Sequence, residues 1–164
     1  MAETIHEKLQ SALRTVDTLY YRLVLLVGPS GVGKTSVLRA FAEETGTSLI
    51  NVNLALSREL LEMTATQRAL RLSPLLDQIT REANPPFLLD NLEILFDKDL
   101  TQDPLRLLQG MSRNRPVVAA WNGTFKCGNL TYASPGHPEY RYYDSQDALI
   151  ISMNSTTEGE EDRK

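Results

Sequence analysis

Gly28, Pro29, Ser30, Gly31, Val32, Gly33, Lys34 and Thr35 match the spacing G-x-x-x-x-G-K-[ST] without a mismatch, and Ser36 continues the run. The chemistry this suits is the holding of a polyphosphate. Successive backbone amides can surround phosphate oxygens only where side chains are absent, and the positive end of a following helix adds to the attraction. Lys34 would reach the β and γ phosphates, and Thr35 would offer its hydroxyl to magnesium. A flexible glycine loop is the plainer alternative. The flanks favour the first reading, because the apolar run LVLLV at 23–27 precedes the loop and KTSVLRAFAEE follows it with Val37, Leu38, Phe41 and Ala42 on one helical face.

A second group of polar residues falls at predicted strand ends. The stretch FLLDN places Asp90 at the end of an apolar strand, where a carboxylate in this chemistry holds magnesium, usually through water. Many such enzymes carry a glutamate directly after that aspartate to orient the attacking water, whereas this chain has Asn91 there and its nearest carboxylate is Glu93. An amide holds water but takes no proton, so slow hydrolysis is consistent with the pattern. Glu93 serves if the chain turns sharply after Asp90; otherwise it is an exposed first-turn carboxylate. Asn122, ending the next strand, either contacts the γ phosphate or the water or belongs to a simple Asn-Gly turn with Gly123. Asn53 is read as the end of the second strand, where it either bonds an active-site carboxylate or caps the next helix. Arg113 and Arg115 are candidates for completing a neighbouring subunit's site, against the alternative of surface arginines near a helix end. The loop SPGHPEYRYY gathers His137, Glu139, Arg141 and three tyrosines, which suit a stacking surface or a partner interface. With His6, His137 and Cys127 as the only histidines and cysteine, no zinc spacing is present.

The elements that must carry these residues alternate. Thr4 and Glu7 have capping-box spacing before a stripe of Ile5, Leu9, Ala12, Leu13, Val16 and Leu19. Strands are predicted at 22–27, 48–53, 86–90, 115–123 and 148–153. Helices are predicted after the glycine-rich loop up to Gly46, over 54–83 with a break at the Thr64 and Gln67 capping pair, and after Asp103 and Pro104. After Gly123, TFKCGNLTYA reads as a hairpin turning at the Gly-Asn pair, and 134–146 as an irregular loop. Apolar strands separated by helices predict an α/β fold of three layers: a mostly parallel sheet of about five strands with helices on both faces, a small hairpin insertion and no helical lid domain.

With 164 residues and 41% hydrophobic content the chain can bury one core, so residues 1–153 are read as a single domain and 154–164 as a disordered acidic tail. One cysteine excludes an internal disulfide, and the polar start MAETIHEKLQ and the lack of a long apolar run predict a cytoplasmic protein with no membrane contact. A net charge of -4 gives no broad footprint for a phosphate backbone, so direct DNA contact is not the default. No N-K-x-D segment is present to read guanine, and no D-x-x-G follows the loop, which argues for ATP over GTP.

The segments LVLLVGPSGVGKTSVLRA, LINVNLALSRELLE, FLLDNLEILF, QDPLRLLQGMSRNRPVVAAWNG and LTYASPGHPEYRYY together resemble the BrxF family, the small P-loop proteins of BREX (bacteriophage exclusion) defence systems. The WNG and PGHPEYR segments are the particular ones. The resemblance spans about residues 3–153. It implies a bacterial protein of the AAA+ branch of P-loop ATPases working with other BREX proteins, with Gly28 to Thr35 as the Walker A motif, Asp90 as the Walker B aspartate and Asn122 as the sensor residue. The chain departs from that branch in lacking the usual glutamate after Asp90 and a lid domain. Three readings follow: a magnesium-dependent ATPase whose nucleotide state controls assembly, a nucleotide-binding subunit that hydrolyses slowly or not at all, and a small-molecule kinase. A homo-oligomer is expected, since arginines 113 and 115 would need a neighbour's site to act on.

Overall fold

The computed structural model describes residues 4–113, 115–144 and 146–153. The predicted tail at 154–164 lies outside the described residues. Helix α1 (Ile5–Val16) opens on the capping box, with Thr4 Oγ1 accepting from the Glu7 amide and Glu7 accepting from the Thr4 amide. It buries Leu9, Ala12 and Val16 and stops there, so Leu19 falls outside the helix and stands exposed. Strand β1 (Leu23–Gly28) is buried throughout, and α2 (Lys34–Thr45) follows, closed by Gly46.

Strand β2 (Leu49–Asn51) is shorter than the six residues predicted. Helix α3 (Val52–Leu60) begins at once, and its N-cap is Asn51, whose side chain accepts from the Leu54 amide. Asn53 therefore sits in the first turn of α3 and ends no strand. Its amide donates to the Asn91 carbonyl at 3.0 Å. A second capping box, Thr64 with Gln67, starts α4 (Ala65–Arg81). Strand β3 (Phe87–Asp90) is followed by two 3-10 turns, Glu93–Phe96 and Lys98–Leu100, and α5 (Pro104–Met111) starts at its Asp103 cap.

Strand β4 (Val117–Lys126) begins two residues later than predicted and runs on three further, directly into the hairpin. The turn falls on Cys127 and Gly128, both at positive φ, one step earlier than the Gly-Asn pair. Strand β5 (Asn129–Tyr132) returns antiparallel, and β6 (Arg141–Tyr143) adds a third strand inside what reads as an irregular loop. Strand β7 (Leu149–Ser152) closes the parallel sheet beside β1.

The parallel sheet runs β2-β3-β4-β1-β7. Alternate side chains divide the core in two. Leu23, Leu25, Val27, Phe87, Leu89, Val117, Ala119 and Trp121 face α3, α4 and α5, whereas Val24, Leu26, Leu88, Val118, Ala120 and Ile151 face α1 and α2. The expected three-layer α/β architecture with helices on both faces is thus the observed one. The parallel pairing stops along one edge, with Gly28 in register with Asn122 and Asn51 with Asp90, while β4 itself runs on to Lys126, so Asn122 ends no strand.

Candidate nucleotide site

At that edge a crevice of about 240 Å³ is lined by Ser30, Gly31, Gly33, Lys34, Thr35, Ser36, Asp90, Asn91, Glu93, Ala120 and Asn122. The turn from β1 into α2 requires Gly31 and Gly33 at φ 85° and 108°, the left-handed region that side chains disfavour. Gly28 and Pro29 contribute through their carbonyls: Lys34 Nζ donates to both, at 2.8 and 2.7 Å. The Pro29 carbonyl also accepts from the Val32 amide. Lys34 is 5% exposed. Its burial lowers the ammonium pKa below 10.5, and the carboxylates of Asp90 and Glu93 partly oppose that shift.

Across the crevice Thr35 Oγ1 donates to Asp90 Oδ2 at 2.6 Å, and the other carboxylate oxygen accepts the Asn91 amide at 2.9 Å. One hydroxyl beside one buried carboxylate is a hard-oxygen pair that suits magnesium, an ion held by one or two protein oxygens together with water and phosphate rather than by a full protein cage. Thr35 and Asp90 would hold it.

Asn91 is not the flat substitute for a glutamate that the sequence suggests. It sits at φ 55°, a left-handed conformation that asparagine tolerates better than most residues, and its carbonyl accepts from Asn53. This is the sharp turn after Asp90 on which a role for Glu93 depends. It starts the Glu93–Phe96 turn so that Glu93 Oε2 accepts from Asn122 Nδ2 at 2.8 Å. Glu93 is nonetheless exposed at the crevice mouth. Lys34, Thr35, Asp90, Asn91, Glu93 and Asn122 are thereby brought together.

Other candidates lie elsewhere. The Arg113 guanidinium sits 4.9 Å above the Tyr20 ring and that of Arg115 5.6 Å above the Phe87 ring, both just before β4, on the opposite edge of the sheet. His137 accepts the Glu139 amide within its own loop. Arg141 donates to the Gln102 carbonyl and the Tyr143 hydroxyl to Asp103, so these two pin the loop to the start of α5. Burial and the Asp103 hydrogen bond push the Tyr143 phenol well above its usual range. Among the described residues no group of three or more His, Cys, Asp or Glu could hold a metal, and no helix is long and apolar enough to cross a membrane.

Sequence reasoning missed the aromatic wall behind Glu93. Phe96 lies parallel to Tyr132, with centroids 3.4 Å apart, and Trp121 meets both edge-on. Burial, with Glu93 and Glu139 adding to it, pushes the Tyr132 phenol up to about 12. Three aromatics flanking the strand end and hairpin were the available signal, but their spacing alone names no partner.

A glycine-rich loop between strand and helix, facing an aspartate at the end of a neighbouring parallel strand, defines a P-loop nucleoside triphosphatase fold. The description "AAA ATPase domain" matches residues 3–121, most of the chain, and the protein belongs to that family. The match ends at Trp121, so Asn122 and the hairpin lie beyond it. No curated protein matches the sequence. Solved structures similar to the chain include C. elegans PCH-2, at 16% identity and TM-score 0.49 over 92% of this chain and 42% of that one. They also include AMPPCP-bound DnaA from Aquifex aeolicus, at 17% identity and TM-score 0.42 over 90% and 44%, and a DNA replication initiation factor at 17% and 0.40 over the same shares. The chain spans less than half the length of these solved chains.

Proposed function

We propose that the protein binds ATP with magnesium in this crevice and hydrolyses it, and that its nucleotide state controls assembly with partner proteins. The observation that carries the hydrolytic reading is the Asn122–Glu93 hydrogen bond, which holds a carboxylate at the mouth of a crevice floored by Lys34, Thr35 and Asp90. In this reading the loop amides and Lys34 bind the phosphates, and Thr35 and Asp90 hold magnesium, which supplies charge neutralisation as the γ phosphate leaves. Glu93 orients the attacking water, and Asn122 fixes Glu93. Ser30, Gly31, Gly33 and Ser36 line the path of the phosphates.

The setting we propose is the bacterial cytoplasm, in a BREX-type phage defence system with other BREX proteins and copies of itself. Its support is the sequence resemblance carried by the WNG and PGHPEYR segments. The exposure of Glu93 favours a second reading, in which turnover is slow or awaits a partner that closes the crevice, and the protein acts as a nucleotide-gated subunit.

Steady-state phosphate release from magnesium and ATP, with binding measured alongside, separates the two. Hydrolysis predicts that Lys34→Ala loses binding and turnover together, while Glu93→Gln keeps binding and loses about 10- to 1,000-fold in turnover. Binding without release in the unaltered protein would select the gated subunit, and unchanged binding by Lys34→Ala would overturn the site.

A further inference from the structure

The crevice and the hairpin are joined by contacts that bracket Glu93 from two sides. Glu93 begins a four-residue 3-10 turn, too short to hold its own direction, and its last residue, Phe96, is buried. The Phe96 ring lies 3.4 Å from that of Tyr132 on β5, at 5° from parallel. On the other side, Asn122 follows Trp121 on β4. Trp121 Nε1 donates to the Thr131 carbonyl at 2.9 Å, and the Asn122 carbonyl accepts from the Ala133 amide at 3.1 Å. Gly123 makes this possible, because a Cβ there would collide with the Thr131 carbonyl. The hairpin is itself anchored, through Tyr143 to Asp103 and Arg141 to Gln102, on the cap of α5.

We propose that Phe96, Trp121 and Tyr132 are positioning residues through which the hairpin sets the place of Glu93 and Asn122. This rests on the hydrolytic reading of the site and adds to it: the hairpin is the element that determines turnover, while the glycine-rich loop determines binding. Simple core filling would need apolar bulk alone. Here Phe96 closes the turn that Glu93 opens, and Trp121 directly precedes Asn122, the donor to Glu93.

Trp121 is the only tryptophan, so its emission reports on the stack with no competing signal. The test compares the full-length protein with Tyr132→Leu, Tyr132→Phe and Asn122→Ala, measuring ATP affinity, phosphate release and Trp121 emission with and without magnesium and ATP. The expected result is that Tyr132→Leu binds ATP normally but loses about 10- to 100-fold in kcat. Tyr132→Phe, which keeps the ring, restores turnover. Nucleotide binding shifts Trp121 emission in the unaltered protein, and Asn122→Ala binds without that shift. Unchanged kcat in Tyr132→Leu overturns the proposal, as does a parallel fall in affinity and kcat, which marks a merely structural role. Should Tyr132→Leu fail to fold, the emission of the unaltered protein and of Asn122→Ala decides the matter, since an emission indifferent to nucleotide also overturns it. If the unaltered protein binds ATP without turnover, the hydrolytic reading fails while the same emission comparison still tests the link from crevice to hairpin.

Discussion

Lys34 and Asn91 show how single residues set the site's behaviour. The Lys34 ammonium is costly to bury, and burial holds its pKa below 10.5. Above 10.5 the folded and unfolded chains both carry it neutral; as pH falls, the unfolded chain takes its proton first, so Lys34 disfavours the folded state increasingly until its own folded pKa is passed. Phosphate binding needs the charged form. ATP affinity should therefore decline as pH rises through that lowered pKa, beginning below 10.5, and calorimetric titration across the alkaline range checks this. A decline confined to pH above 10.5 would contradict it. Asn91 acts through its backbone at φ 55°. Asn91→Gly keeps the turn and should keep turnover, whereas Asn91→Val should cost about 1–2 kcal/mol and misdirect Glu93. Thermal melts and phosphate release on both variants decide it, and an active Asn91→Val would show that the turn is not what delivers Glu93.

At the scale of elements, the hairpin carries the sharpest steric demand. Gly123→Ala would drive a Cβ into the Thr131 carbonyl, backbone that cannot step aside as a flexible side chain would. The expected cost is about 1–3 kcal/mol of stability, a fall of roughly 3–10 °C in Tm. A melt unchanged by the substitution would mean that β5 is free to shift, and would weaken the hairpin's claim on the crevice. The helices were legible in the sequence because local chemistry fixes them: Thr4 with Glu7, Thr64 with Gln67, and Asp103 with Pro104 each satisfy backbone amides wherever the chain goes. The parallel strands were legible because burial on both faces demands unbroken apolar runs. Strand β6 was not, since the three residues Arg141, Tyr142 and Tyr143 acquire strand character only by pairing with β5. The glycine-rich loop and Asp90 could be read from spacing, but the meeting of Glu93 with Asn122 depends on the turn at Asn91, and sequence gives no φ.

For the whole molecule, the sheet separates two chemistries along its strands. Phosphate-binding groups occupy one edge, while Arg113 and Arg115 occupy the other, a full six-residue strand away, or roughly 17 Å. Neither arginine can reach the γ phosphate of its own crevice. If either serves catalysis it does so in a neighbouring copy, and mixing variants tests this without any structure of the assembly. Lys34→Ala retains these two arginines but no functional crevice; the double variant Arg113→Ala, Arg115→Ala retains the crevice but neither arginine. Each alone should release little phosphate, and an equimolar mixture should recover up to about a quarter to a half of normal turnover if active pairs form across copies. Sedimentation with and without magnesium and ATP should show association of the unaltered protein at the same concentrations. A mixture no more active than its parts, or a double variant with full turnover, would place those guanidiniums back on their aromatic rings as packing alone and leave each crevice to work by itself.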